Sequence, residues 1–217
     1  MTVSHLYHQL HIPPNLQRHM LEVTAVGEYV CEHWTGEPLD AQLVRDTLLM
    51  HDLGNIVKFK RPFLGELEEE AENWEKIQNF YVEKFGAKAT TVTVAILAEL
   101  GAQPEIARIL LDMSPDETGA IAFEHVETRI CSFADMSVTP HGIEGFEARM
   151  LDLGKRYPTE RVAAAMVEER KNAAFVQRHV GVEIMTLPRE QLEERMSSLA
   201  QTEFELVVPA YFAVIPE

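Results

Sequence analysis

Cysteine is nearly missing from this sequence, which holds only Cys31 and Cys131. Two thiols cannot form the disulfide framework of a small secreted fold, and their scarcity points to a reducing, cytoplasmic setting. Basic residues are also few: 19 Lys and Arg stand against 35 Asp and Glu, a formal charge of −16 with histidine neutral. A nucleic-acid polymer is gripped largely through Lys and Arg at its phosphates, so this balance excludes a general nucleic-acid binder. It leaves room for a small phosphorylated ligand, because a bound cation can outweigh background charge locally. Long apolar runs are absent too. Stretches such as VTVAILAEL fall far short of a bilayer span, and no membrane partner is expected. The opening MTVSHLYHQLHIPPNLQRHM lacks the basic-then-apolar order of a signal peptide.

What remains is an ordinary globular composition, 46% apolar and 25% charged over 217 residues. A chain of this size hides roughly 70% of its unfolded surface, so it needs neither metal nor disulfide merely to hold a core. There is no repeat, low-complexity run or linker. Residues 1–217 read as one domain, with self-association left open.

Nearly every periodic segment predicts helix. Leu16, His19, Met20, Val23, Val26, Gly27 and Val30 follow the spacing of one buried helical stripe, introduced by Pro13-Pro14. Asp40 is placed to cap a second helix, AQLVRDTLLMHDL, which Gly54 should end. On it Val44, Leu48, His51 and Asp52 share a face. A basic loop, KFKRPFLG, leads into an acidic helix from about Glu66 to Phe85. Further helices are expected over Thr90–Leu100, Pro104–Asp112, Asp116–Val138, Ile143–Arg156, Pro158–Val180 and Arg189–Leu199, with Pro140-His141-Gly142 as one of the breaks. The tail FELVVPAYFAVIPE fits a strand or an extended packing arm. The fold class is therefore all-α.

The informative residues are polar ones at positions where the periodicity asks for apolar ones. His19 lies between Leu16, Met20 and Val23, and His51-Asp52 continue the stripe of Val44 and Leu48. An ionised aspartate on a buried face costs several kcal/mol unless it is paired, hydrogen-bonded or metal-bound. A third segment, ETRICSFADM, puts Asp135 beside the small side chains Thr128, Cys131 and Ser132, a face that lets other helices come close. Two imidazoles and two carboxylates on three helices make a mixed nitrogen–oxygen donor set, suited to Mn, Fe, Co, Ni, Zn or Mg rather than to a thiolate-seeking ion.

The order His19 … His51-Asp52 … Asp135 resembles the H…HD…D signature of the HD-domain superfamily of metal-dependent phosphohydrolases. LLMHDLGNIVKF resembles that family's apolar-run HD-(I/L)-G segment, and RICSFADM resembles its closing apolar-AD segment. The resemblance covers about residues 10–140 and leaves 141–217 as a helical extension. It implies that His19, His51, Asp52 and Asp135 bind one divalent metal ion. It further implies hydrolysis of a small phosphoester, most readily a nucleotide, with Asp52 positioning the attacking water. Relatives with two metals carry extra histidines between HD and the last Asp; here that interval holds only His125.

Two departures matter. Some nucleotidase relatives place Glu three residues after the HD aspartate, where this chain has Asn55. Asn orients a water but accepts no proton near neutrality. The acidic pair that follows HD in ppGpp-hydrolysing relatives is also missing. A non-catalytic regulatory module binding a nucleotide or a protein partner is thus the alternative to an enzyme. For the phosphate, Arg18 and Lys58 are the expected contacts, with Lys60 and Arg61 nearby in the same basic loop. His5, His8 and His11 recur every three residues and drift around a helix, which reads as surface. Trp34 and Trp74 read as core or pocket wall.

Overall fold

A computed structural model describes residues 1–59, 68–139, 141–156, 159–181 and 187–214. Lys60 and Arg61 lie outside these residues, as does Pro158, the expected start of a helix.

The chain begins with a short helix, α1 (Val3–Gln9), capped by the Thr2 hydroxyl, which accepts from His5 N–H. This element was not expected. Val3, Leu6 and Tyr7 are buried beneath it while His5 and His8 face outward; the surface reading fails at His11, which is half-buried and donates Nε2–H to the Phe212 carbonyl at 3.1 Å. α2 (Pro14–Glu32) starts on Pro14, whose missing N–H costs nothing in a first turn. Its apolar stripe packs against α3 (Ala41–Met50), α7 (Val126–Asp135) and α10 (Arg189–Ala200). Gly27 leaves room for α3: a Cβ there would lie 2.2 Å from Leu48 Cδ1.

α3 is capped as predicted, with Asp40 Oδ1 accepting from Leu43 N–H at 3.0 Å. It ends at Met50 rather than running to Leu53. The cause is local. His51 Nδ1 takes the Leu48 carbonyl at 2.7 Å, the acceptor that a continuing helix would offer to residue 52. The chain turns through Asp52 and enters a 3-10 turn, Asn55–Lys58. Gly54 N–H donates to Thr93 Oγ1 at 3.0 Å. A Cβ on Gly54 would strike the backbone of the helix carrying Thr93, 2.5 Å from Thr93 N and 2.6 Å from Ala89 O.

That helix is α5 (Ala89–Leu100), preceded by α4 (Glu68–Phe85) and followed by α6 (Pro104–Asp112). The helix expected over Asp116–Val138 is shorter at both ends. At its start the Asp116 carboxylate accepts from Thr118 N–H, Thr118 Oγ and Ala120 N–H, and Gly119 has φ +88°. Asp and Gly favour such turns because the side chain competes for backbone donors and glycine tolerates positive φ. α7 therefore begins only at Val126. Past Asp135 the chain makes a two-residue hairpin, β1 (Val138–Thr139) against β2 (Gly142–Ile143), with Val138 opposite Ile143. The hairpin removes the first turn expected of the next helix, so α8 is Phe146–Arg156. α9 (Glu160–His179) follows, capped by Thr159.

Two apolar clusters meet across α2 and α3. One gathers α1, α4, α5, α10 and Phe212. The other gathers Val26, Val44 and Leu48 with Ile130 and Phe133 of α7, Met150 of α8 and Val176 of α9. Trp34 packs on the second cluster and Trp74 on the first. The tail is an arm rather than a strand: Phe204 N–H bonds to Met1 O at 2.8 Å, and a 3-10 turn at Ala210–Val214 buries Phe212. The fold is all-α apart from the hairpin. Among the described residues no helix is long and apolar enough to cross a membrane.

Candidate metal centre

α2, the end of α3 and the end of α7 converge where the apolar stripes are interrupted. His19 Nε2 lies 3.3 Å from Asp135 Oδ1 and 3.7 Å from Asp52 Oδ2. His51 Nε2 lies 3.8 and 3.7 Å from the same two oxygens. The imidazole centroids are 5.5 Å apart. Ligand atoms of His19, His51 and Asp135 all fall within 4.8 Å of one another, and Asp52 closes the group from the turn after α3. The four residues singled out from sequence are brought together.

His51 is oriented for donation. The Leu48 carbonyl accepts from His51 Nδ1–H, which fixes the tautomer and leaves Nε2 with its lone pair free. A carbonyl behind a ligating imidazole is the usual way such a ring is held. Asp135 sits at the last residue of α7, and its Oδ1 is enclosed. Burial opposes ionisation there, but the His19 ring, the Arg149 guanidinium and the His51 ring outweigh it. They hold the carboxyl well below its ordinary range. Among the described residues neither His51 Nε2 nor Asp135 Oδ1 has a hydrogen-bond partner. His51 Nε2 left unsatisfied costs of order 1–3 kcal/mol unless something else binds it, and Asp135 Oδ1 beside it has only the long contacts to His19 and Arg149. A nitrogen lone pair and an anionic oxygen share one natural guest, a cation. The residues present therefore fit a divalent metal with nitrogen and oxygen ligands.

The surroundings differ from expectation in part. Asn55 is buried in the 3-10 turn and its N–H bonds to Asp52 O at 2.9 Å. Lys58 is exposed at the end of that turn. Arg18 is engaged elsewhere, at 3.0 Å from Glu193 of α10 and 2.9 Å from Glu22. His125 is exposed at the opposite end of α7, on the order of 15 Å along the axis from Asp135, and takes no part. The Cys131 thiol is pushed well up by burial and stays protonated, which keeps it out of the donor set.

Two residues of the C-terminal helices join the group without having been foreseen. Arg149 of α8 brings Nη2 to 3.5 Å from Asp135 Oδ1. Glu169 of α9 is buried against α7, where Ser132 Oγ donates to its carboxyl at 2.6 and 2.8 Å. Burial pushes the Glu169 pKa up to about 7, Ser132 opposes this, and the charge of Asp135 reinforces it. Glu169 had a legible signal: it shares a helical face with Ala165, Ala173 and Val176, the same kind of polar interruption that marks His19.

Comparison with protein families, with curated proteins and with solved structures returns no match for this chain.

Proposed function

We propose that the chain is a metal-dependent phosphohydrolase of the HD type, acting on a small phosphoester of the nucleotide class. The observation that carries this reading is the enclosed His51 Nε2, which has no hydrogen-bond partner among the described residues, facing the enclosed Asp135 Oδ1, with His19 and Asp52 beside them. His19, His51, Asp52 and Asp135 would hold the ion. Once bound, it would supply Lewis-acid polarisation of a phosphoryl oxygen and acidification of a water. The protein's own groups do the rest. The Leu48 carbonyl keeps the His51 lone pair aimed inward. Asp52, on a turn whose Gly54 N–H bonds to Thr93 of α5, would hold a carboxylate beside the ion for a water to meet. Asn55 orients but takes no proton.

The buried Asn55 also supports a second reading, a module that binds a nucleotide without turning it over. One experiment addresses both. Protein purified without chelator should carry close to one transition metal per chain, and His51→Ala or Asp135→Ala should remove most of it. In a phosphoester panel with added Mn, Co, Ni, Zn or Mg, the wild type should release phosphate and Asp52→Ala should not. Metal without turnover across the panel favours the binding module; wild type that cannot be loaded with metal defeats both.

A further inference from the structure

We propose that Arg149, which lies outside the segments carrying the four metal-site residues, grips the phosphoryl group of the substrate. The proposal rests on reading those four residues as a divalent-metal centre, and it moves to Arg149 the role first expected of Arg18. The hairpin after Asp135 turns the chain so that α8 returns over the site, with Phe146 and Met150 in the second apolar cluster. Arg149, beside Met150, is carried to the rim of the aspartates with its side chain only 12% exposed.

Its guanidinium is poorly satisfied. Nη2 stands 3.5 Å from Asp135 Oδ1 and Nη1 stands 3.7 Å from Asp152 Oδ2. Made charge-assisted bonds run about 2.7–2.9 Å. Nε is enclosed and has no hydrogen-bond partner among the described residues. Asp152 is itself engaged by Arg156. A buried cation with its fork unmade is costly for structure alone. The same fork is the geometry that receives two oxygens of a phosphate.

Charge leads to the same guest. A divalent ion would neutralise Asp52 and Asp135, leaving Arg149 as surplus positive charge beside it. Two cations close together in a shielded site repel unless an anion lies between them. A phosphoryl group answers both. In a chain with a formal charge of −16, this surplus is local and would select an anionic ligand that the rest of the surface repels.

The test titrates inorganic phosphate into protein as purified, with its metal counted by elemental analysis, for the wild type, Arg149→Met and Arg149→Lys. Arg149→Met should weaken phosphate roughly tenfold or more, the loss of one charge-assisted hydrogen bond. Metal per chain should stay at the wild-type value, and the ligand-free melting temperature should hold level or rise, since a buried and poorly paired cation has been removed. Arg149→Lys keeps the charge but not the fork and should fall between the two; it carries the comparison if Arg149→Met does not fold. Unchanged phosphate affinity overturns the proposal, and so does absence of phosphate binding by the wild type. Parallel loss of metal and phosphate also overturns it, since Arg149 would then only be positioning Asp135. Wild type that lacks metal yet loses phosphate on Arg149→Met would leave the arginine contact standing and remove the metal-centre reading instead.

Discussion

At Glu169 a carboxyl group is enclosed between α9 and α7, and burial lifts its pKa from an ordinary 4.5 to about 7. Unfolded chain therefore releases this proton near pH 4.5 while the native protein keeps it to about pH 7. Over that window the unfolded state gains by ionising and the native state does not, so stability falls as pH rises. The full loss, reached above pH 7, is about 3 kcal/mol. Glu169→Gln keeps the shape and an acceptor for Ser132 but has no proton to lose. Urea unfolding at pH 5 and pH 8 should show the variant gaining on the wild type at the higher pH. An equal difference at both values would mean that Glu169 is not held protonated by the fold.

The same residue shows where reading a sequence stops. His19, His51, Asp52 and Asp135 were legible because each interrupts an apolar helical stripe within a recognisable order of segments. Glu169 interrupts a stripe as well, but its stripe lies in an extension with no motif to give it meaning. Arg149 interrupts nothing. Its place depends on how the hairpin aims α8, and a hairpin two residues deep leaves little periodicity to detect.

Among the elements, α2, α5, α6 and α10 fall close to their expected bounds, because a stripe, a cap or a first-turn proline marks each, and α3 starts where its cap places it. The misplacements have side-chain causes: His51 takes the carbonyl that would have extended α3, and Asp116 draws donors into a turn where more of α7 was expected. The contact of Gly54 with α5 is the element-scale feature most open to test. Alanine there would press on the Thr93 and Ala89 backbone, and rigid helix backbone cannot step aside as a side-chain tip can. Overpacking of this kind costs about 1–3 kcal/mol. Gly54→Ala should lose about that much by denaturant titration and should bind metal more weakly, since the turn bearing Asp52 must move. Stability equal to wild type would show that α5 yields freely.

For the whole molecule, α7 lies far along the chain from the neighbouring α2 and α3, so a bound ion would tie the centre of the fold together. A ligand at 100 times its dissociation constant adds about 2.7 kcal/mol, which for a chain of this length raises the melting temperature by roughly 5–10 °C. Chelator should remove that increment at pH 7.5. Near pH 5.5 it should matter little, because ligating imidazoles must be deprotonated and protons then compete with the metal. Melts that are identical with and without chelator at pH 7.5 would separate metal binding from folding.

The first residues are held by α10 and the arm after it. Val3 N–H bonds to Thr202 O, Ser4 Oγ to Ala200 O, and the Met1 ammonium to Phe204 O across a separation of 203 residues. On a ribosome adding 5–20 residues per second, those partners emerge roughly 10–40 s after the segment that needs them. Throughout that interval α1 has its apolar face of Val3 and Leu6 short of its final cover. Closing so long a loop late is also entropically costly. Until then α1 stays an incompletely covered apolar segment, one that a chaperone recognising short apolar helices would bind.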